Sequence, residues 1–455
     1  MTFGRCSGLA FGLGAFAISS LCIPASAQSP PASALPPASP SAEAGTAHAV
    51  SELDAARLLM KAGRVADAKR VLTALDSAKP ANSEVQFLLG MIALSEKNYD
   101  GAIAQFRRIL AREPDVARVR LELARAFFLN ADYDNAERQF RYARSGDLSD
   151  AAKENIDHYL GAIRVARQWS ENLSLAIVPD TNINAGPSIT TVGLYGLPFE
   201  LSQDARQQSG IGTMLDAGGE WSPPISDNVR LRVGGQASDT DYPGHGEFND
   251  LTAAGYAGPR FLAGPWEISP LVTGFERWYA NRFYNEGIGG SLQTIYYYTP
   301  TLGFSGVIGA QQVTYAPPAG QSGPAISGAL NVFYTVDPSS AVSAGISASR
   351  QNATFGVFSY TAKQIQLGYN RDLFDGWSVA PQTSFATVDY DSPLAAFGVA
   401  RRDRLWVAQV ALLNRRLDVY GFTPRIAYIY THNSSDITLY AYNRNQIQIG
   451  LTRDF

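Results

Sequence analysis

Residues 151–180 read AAKENIDHYLGAIRVARQ and then WSENLSLAIVPD. Before Trp169 the apolar residues follow the spacing of an amphipathic helix, and after it they fall at every second position. The first such positions are Leu173, Leu175 and Ile177. A change of period from about 3.6 to two marks a change from helix to strand. The stretch therefore predicts that a helical domain ends here and an all-strand domain begins.

Before Trp169 the chain contains a thirty-four-residue repeat. Three sets of small or apolar residues recur at that period: Ala68, Ala102 and Ala136; Leu72, Phe106 and Phe140; and Leu75, Ile109 and Ala143. This period and these residue types resemble the tetratricopeptide repeat, in which a small residue lets two helices approach and an aromatic residue fills the space between repeats. We predict that residues 51–168 form three such repeats, the first of them degenerate, and a closing helix.

A short solenoid of this kind usually binds an extended peptide or a helix on its concave face. The geometry of such repeats places Arg57, Met91 and Arg125 at equivalent groove positions, with Arg118 nearby. We therefore predict that these four residues form a groove that binds protein. For the three arginines the alternative is ordinary solvated surface charge.

After Trp169, short turns alternate with longer loops rich in glycine or aspartate. Six turns and seven loops, among them residues 181–206, 281–285 and 390–402, divide the region into fourteen strands. One face of each strand is apolar and the other polar, as a strand between lipid and a wet lumen requires. An even number of strands places both barrel ends on the short-turn side, where the helical domain is attached. A soluble sandwich or propeller is the alternative, but no blade motif repeats.

The predicted fold class is α+β and multidomain: an N-terminal α-helical tetratricopeptide solenoid, followed at residues 169–455 by a 14-stranded antiparallel transmembrane β-barrel. Residues 1–27 have the charged start, apolar core and Ala25-Ser26-Ala27 ending of a signal peptide, with a membrane anchor as the alternative. Residues 28–50 are rich in Pro, Ala and Ser and are predicted to be a disordered linker. Both cysteines, Cys6 and Cys22, lie in the leader, so no disulfide is expected in the mature chain.

Charge and composition argue against several functions. The formal net charge is -4, which is unlike a nucleic-acid binder, and residues 169–455 carry 17 basic and 23 acidic residues. That region has two histidines, His245 and His432, both in predicted loops, and no metal-spaced cluster or phosphate-binding loop. We predict no catalysis, no cofactor and no metal.

Two further segments are candidate sites. Asp180, Asn182 and Asn184 either line the lumen near the outer mouth or turn the first strand into its long loop, since Asn and Asp favour turns. The alternating C-terminal residues are predicted to be the signal that barrel insertion machinery reads: Ile447, Ile449, Leu451 and Phe455.

The order of leader, repeats and fourteen-stranded barrel resembles the surface lipoprotein assembly modifier family of Gram-negative bacteria. The segment LSLAIVPDTNIN at 173–184 is similar to that family's first barrel strand, and RNQIQIGLTRDF at 444–455 to its last. The resemblance covers residues 51–455. It implies an outer-membrane translocator with a periplasmic N-terminal domain that moves protein clients, often lipoproteins, to the cell surface.

The partners that this resemblance implies are a lipoprotein client, a periplasmic chaperone, outer-membrane lipid and the barrel assembly machinery. Because the sequence has no nucleotide-binding site, the energy for client movement is expected to come from client binding and folding. Two alternatives share the architecture: an exopolysaccharide export porin, and a passive porin with a docking domain.

Overall fold

The computed structural model describes residues 51–417 and 422–454. The predicted leader and linker, and Phe455 of the predicted insertion signal, lie outside the described residues. Seven α-helices occupy the N-terminal part of this described chain: α1 (Glu52–Lys61), α2 (Val65–Ala78), α3 (Ser83–Ser95), α4 (Tyr99–Leu110), α5 (Ala117–Leu129), α6 (Tyr133–Ser145) and α7 (Asp150–Ala166).

Short polar side chains determine where several helices begin. The Asn82 side chain accepts hydrogen bonds from the first-turn amides of α3, and Asn98 and Asp132 do the same for α4 and α6. Each satisfies N–H groups that have no partner within the helix. Asn98 and Asp132 stand thirty-four residues apart, so this cap recurs at the same point of two successive repeats.

The thirty-four-residue positions form the core of the helical domain. Ala102, Ala136, Phe106 and Phe140 are all fully buried. A Cβ atom added at Gly90 of α3 would lie 2.6 Å from the Phe106 ring, so this glycine allows α3 and α4 to pack closely. Burial of each phenylalanine contributes roughly 1.5–3 kcal/mol. The predicted tetratricopeptide solenoid is confirmed.

Seventeen strands follow within the described residues. Fourteen of them form the wall of a barrel: β1 (Trp169–Asp180), β4 (Gly210–Trp221), β6 (Val229–Asp241), β7 (Asp250–Ala263), β8 (Trp266–Tyr279), β9 (Arg282–Thr299), β10 (Leu302–Tyr315), β11 (Gly323–Asp337), β12 (Ser340–Gln351), β13 (Tyr360–Asp372), β14 (Trp377–Leu394), β15 (Val399–Asn414), β16 (Thr423–Ser435) and β17 (Tyr442–Asp454). The other three are short: β2 (Thr191–Leu194), β3 (Leu197–Glu200) and β5 (Pro224–Ser226).

The fourteen long strands close into a ring of antiparallel neighbours. Each strand pairs with the next along the chain, β4 pairs with both β1 and β6, and β1 pairs with β17. Closure leaves the wall without a free edge, which is the condition for strands to cross a bilayer. The predicted 14-stranded barrel is confirmed.

The two faces of the wall differ as the sequence predicted. On β1, Leu175 and Ile177 point outward and are 55% and 56% exposed, whereas Ala176 and Val178 point inward and are buried. The same outward set recurs on every long strand and forms an apolar surface far larger than soluble proteins expose. The outer surface is therefore suited to lipid.

Two predicted loops and one histidine are placed differently by the structure. The predicted long loop at 281–285 is a two-residue turn, because Ala280 and Asn281 both adopt positive φ and join β8 directly to β9. Most of 390–402 is strand, because β14 runs to Leu394 and β15 begins at Val399, which leaves only four residues between them. His432 lies in β16 and contacts Asn443 of β17, rather than in a loop.

Candidate functional site

The helical domain contacts the short-turn end of the barrel through its last helices. Arg141 of α6 donates to the carbonyl oxygen of Pro300, in the β9–β10 turn, at 2.7 Å. Arg164 of α7 donates to the Glu267 carboxylate and to the Gly264 carbonyl oxygen, both at 3.0 Å. Arginine is suited to this role because its planar guanidinium can bind several acceptors at once. These contacts, with those of α5 described next, form what we call the docking interface.

A second set of contacts joins α5 and the end of α4 to the barrel. Arg120, whose side chain is 3% exposed, donates to Asp372 at the end of β13 at 2.9 Å. Asp372 also accepts from Arg415 at 3.1 Å, so this carboxylate joins α5 to two barrel turns. The Asp375 amide donates to the Ala111 carbonyl oxygen just after α4. A buried carboxylate with two arginine partners is a strong but costly contact, which suits a fixed interface.

Together these contacts reach turns on many sides of the ring. Arg230 on β6 donates to the Arg167 carbonyl oxygen at 3.1 Å, and Gly146 lies so close to Pro338 that a Cβ there would be 2.8 Å from its Cγ. The contacted segments therefore run from the start of β6 to the β13–β14 turn around the barrel. The helical domain lies across the short-turn mouth instead of hanging from one edge.

Behind the docking interface, the Glu137 carboxylate lies within a cluster of charged side chains. Its carboxylate accepts from Arg141 at 2.6 Å and from Arg167 at 3.0 Å. Burial alone raises the pKa of Glu137, but the two guanidinium groups outweigh it and lower that pKa to about 2. Asp134 also pairs with Arg167, at 2.5 Å, yet burial and the nearby Glu137 charge raise its pKa to about 6. The pKa values of these two carboxyl groups, which belong to one cluster, are thus shifted in opposite directions.

The aromatic ring of Tyr297 lies over the same cluster from the barrel side. The guanidinium carbons of Arg141 and Arg164 lie 4.7 Å and 5.3 Å from its centroid. Such cation–π contacts are strongest where water is excluded. They join α6 and α7 to β9 and add to the hydrogen bonds of the docking interface.

The predicted groove residues lie on the first helix of successive repeats. Arg118 and Arg125 meet at Glu122 of α5, at 3.4 Å and 2.7 Å. Arg57 of α1 is not part of this group, since it pairs with Asp54 and with Glu84 of α3.

Met91 of α3 is half-buried and packs against the apolar core of the repeats. The structure therefore brings together two of the four predicted residues. The binding role of the set stays a prediction.

At the opposite mouth, Asp180 faces the lumen and is almost fully buried. It accepts hydrogen bonds from Arg444 at 2.5 Å and from Tyr242 and Gln446 at 3.0 Å each. These partners come from β17 and from the residue after β6. The node therefore joins the first and last strands to a third segment at the outer end of the barrel.

Asn182 and Asn184 shape the loop that follows. The Asn182 amide donates to the Gly186 and Asn443 carbonyl oxygens at 2.9 Å each. The Asn184 amide donates to the Arg206 carbonyl oxygen at 2.5 Å, near the end of the same loop. Both side chains replace main-chain partners that a bent segment lacks. In this structure they therefore build the first loop rather than face open lumen.

The sequence reasoning did not predict a small hairpin in this loop. Strands β2 and β3 are joined at Tyr195 and Gly196, which both adopt positive φ, and the Tyr195 amide donates to the Ala396 carbonyl oxygen at 2.7 Å. Ala396 lies in the β14–β15 loop, so the first loop extends over the outer mouth. The signal was available: a glycine in the middle of alternating apolar residues is typical of a tight hairpin.

Comparison with known proteins now decides the family. The family model described as "Surface lipoprotein assembly modifier" matches residues 169–455, more than half of the chain, and the model of that family's N-terminal TPR repeats matches residues 77–140. The chain belongs to this family.

Curated relatives agree with this assignment. The chain is similar to surface lipoprotein assembly modifier 1 of Haemophilus influenzae, with 21% identity over 80% of this chain and 76% of that one. It is 25% identical to surface lipoprotein assembly modifier 1 of Neisseria meningitidis serogroup B, over 80% and 75%. It is 21% identical to a hemophilin secretion modulator of Acinetobacter baumannii, over 81% and 78%.

Among solved structures, the chain is similar to a FadL homologue of Pseudomonas aeruginosa. The TM-score is 0.39 at 9% identity, over 64% of this chain and 92% of that one. A similarity at this level says nothing about function.

The C-terminal strand of this surface lipoprotein assembly modifier family member presents its apolar residues outward. Ile447, Ile449 and Leu451 alternate with inward Gln448 and Thr452. The apolar outer wall and the closed ring make the protein an outer-membrane β-barrel, with its helical domain on the short-turn side. Whether these three residues serve as an insertion signal stays a prediction.

No helix between residues 51–417 or 422–454 is both long and apolar enough to span a membrane. In the same part of the chain, no group of three or more His, Cys, Asp or Glu side chains is arranged to hold a metal ion.

Proposed function

We propose that this protein is an outer-membrane translocator that helps deliver protein clients, lipoproteins among them, from the periplasm to the cell surface. The observation that carries the proposal is the docking interface. It holds a repeat domain of a protein-binding type across the short-turn mouth of the barrel, through buried pairs such as Arg120–Asp372. A client bound there would already be at the entrance to the membrane. The names of the relatives point to the same function.

We propose that the client, or a periplasmic chaperone that carries it, binds the concave face of the repeats. Arg118 and Arg125 flank the buried Glu122, which leaves each arginine with spare donors. Arg57 and Met91 would extend this surface toward the first repeat. The client then passes through or alongside the barrel, and its folding outside makes the movement directional. No catalysis is part of this proposal.

Insertion of the barrel itself requires a partner as well. The alternating outward residues of β17 are where the barrel assembly machinery would recognise the chain. The exopolysaccharide porin and the passive porin share the architecture but receive no support from the family relationship.

The capture step can be tested in cells that lack their own copy of the gene and express a lipoprotein client. The variant Arg118→Ala/Arg125→Ala is expected to lower protease-accessible client on intact cells by about tenfold, since a hydrogen bond to a charged group contributes about 1.5 kcal/mol or more. The matched control is Arg70→Ala, an 81% exposed arginine of α2. Equal surface display by both variants would contradict capture by this groove.

A further inference from the structure

The seam between the first and last strands has a gap in its hydrogen-bonded ladder. Strand β1 pairs with β17 from Asn172↔Asp454 to Ile177↔Ile449, and the pairing resumes only at Asp180↔Gln446. The register does not shift, so two rungs are missing at Val178 and Pro179. On its other side, β1 pairs with β4 without interruption through the same residues. The gap therefore belongs to the seam alone.

Pro179 explains the missing rungs. The Thr181 amide donates to the Asn445 carbonyl oxygen at 3.0 Å, which shows that odd-numbered residues of this part of β1 point their amides toward β17. Pro179 shares that orientation and has no N–H to donate. The two strands are consequently held less tightly at this point than above or below it.

A groove opens on the lipid face at the same place. Its volume is about 360 Å³, and it is lined by Pro179, Thr181, Ile211, Tyr428, Asn445 and Ile447, together with Asp180 and the residues just before Ile211. Ile211 is 64% exposed, and Ile447 is also exposed. The groove therefore faces the hydrocarbon of the bilayer and not the lumen.

The lining is divided into two tiers along the membrane normal. Ile211 pairs with Pro179 on one side, and the unbroken register of the seam places Ile447 opposite Pro179 on the other, where the rung is missing. The three form an apolar tier. One step nearer the long-loop end, Thr181 and Asn445 form a polar tier, where the Tyr428 hydroxyl donates to the Asn445 side chain at 2.7 Å. An apolar chain with a polar head group fits this order.

The lumen side of the same seam is polar. Asp180, with Arg444 and Gln446, lies directly behind the groove on the inward face of β1 and β17. A lipid-modified protein has an apolar anchor and a polar polypeptide. At this seam the anchor would contact the outer face while the polypeptide contacts the inner one. An ordinary membrane lipid has no part that matches the polar inner face.

We propose that this seam groove binds an acyl chain of the lipid-modified N-terminus of a client, with its polar head at Thr181 and Asn445. This inference rests on the proposed function, because it assigns the groove to the client that the translocator carries. Local opening at Val178 and Pro179 would let the polypeptide lie in the lumen while its anchor stays in the groove.

The test uses the purified full-length protein in liposomes. The probe is a synthetic lipidated N-terminal peptide with a photoreactive group in one acyl chain, and a phospholipid carrying the same photoreactive chain is the comparison. After illumination, labelled residues are mapped by mass spectrometry. We expect the lipopeptide to label the segments around Ile211 and Ile447 at least about tenfold more than the rest of the lipid face. The phospholipid is expected to label the lipid face evenly.

The variant Ile211→Trp/Ile447→Trp fills the groove and is expected to abolish this preference. The control Ile308→Trp lies on the lipid face of β10, away from the seam, and should leave the preference unchanged. Even labelling by the lipopeptide, or equal enrichment of the phospholipid at the seam, overturns the inference. Barrel folding of each variant is checked by resistance to protease.

Client display on intact cells separates this inference from the proposed function. Wild-type display without seam labelling would leave the translocator intact and reject only the groove. Seam labelling in a protein whose removal does not change client display would reject the function on which the inference rests.

Discussion

Asp134→Asn is expected to stabilise the helical domain at neutral pH, even though Asp134 pairs with Arg167 at 2.5 Å. Burial raises the pKa of Asp134 from 3.8 to about 6, against the opposing effect of Arg167. Because the folded-state pKa lies above the unfolded one, the carboxyl group stabilises the fold below pH 3.8, and this contribution is lost as the pH rises through 6. The difference corresponds to about 3 kcal/mol.

Glu137 has the opposite pH dependence. Burial alone would raise its pKa, but Arg141 and Arg167 lower it from 4.5 to about 2. Its contribution is therefore present above pH 4.5 and is lost as the pH falls toward 2, again by about 3 kcal/mol. Together, the two groups predict that the free energy of unfolding is highest at about pH 4 to 5 and lower near neutrality.

The assay is thermal unfolding of the purified full-length protein in detergent, followed by the helical signal in circular dichroism from about pH 2 to pH 8. Asp134→Asn should remove the decline toward neutral pH, and Glu137→Gln should remove the decline toward acid. Asp147→Asn, an exposed carboxylate just before α7, is the control. The raised pKa of Asp134 would be contradicted if Asp134→Asn melted below the wild type at neutral pH while the wild type melted at the same temperature throughout the range.

Three further predictions concern packing, docking and the seam. Phe106→Ala should lower the free energy of unfolding of the helical domain by about 3–5 kcal/mol in the same melts, because this ring is fully buried between repeats. Arg120→Ala should weaken the docking interface by about 3 kcal/mol, because it removes one of the arginine partners of the buried Asp372, and faster protease cleavage between the two domains would report it. Ser174→Cys/Thr452→Cys should form a disulfide across the seam, since the two hydroxyl oxygens are 2.9 Å apart, and the oxidised protein should display less client.

A different result would contradict each of these three predictions. Unchanged melting of Phe106→Ala would mean that the helical core is not packed as described, and unchanged cleavage of Arg120→Ala would mean that the domains are held elsewhere. For the seam, the matched control is Ser327→Cys/Ser349→Cys on the paired strands β11 and β12. Equal client display by both oxidised proteins, or an equal loss in both, would remove the special role of the seam.

Local and periodic features of the fold were predictable. Residues such as Ala102 and Phe106 recur at the repeat period because every repeat buries the same helix faces. Apolar residues such as Leu175 and Ile177 fall at every second position because the barrel wall faces lipid on one side and the lumen on the other. Such patterns are present in any short window of sequence. The predicted loop at 281–285 was wrong because polar residues near Asn281 suggest a loop, whereas two positive φ angles make a tight turn.

The docking interface could not be predicted in the same way. Arg141 and its acceptor Pro300 are far apart in sequence, and in the sequence Arg141 resembles any solvated helix arginine. The Glu137 cluster depends on Arg167, which follows α7 and reaches Asp134 and Glu137 of α6. The seam groove likewise depends on the register of β1 with β17, which the position of Pro179 alone does not give.

In the proposed function, the helical domain receives the client at the entrance to the barrel. The most direct measurement places a photocrosslinking amino acid at Arg125 in living cells that are exporting a lipoprotein, with Arg70 as the control position. We expect an adduct of the client, or of a chaperone carrying it, at Arg125 and none at Arg70. Absence of any adduct at Arg125, while the client still reaches the cell surface at the normal rate, would contradict it.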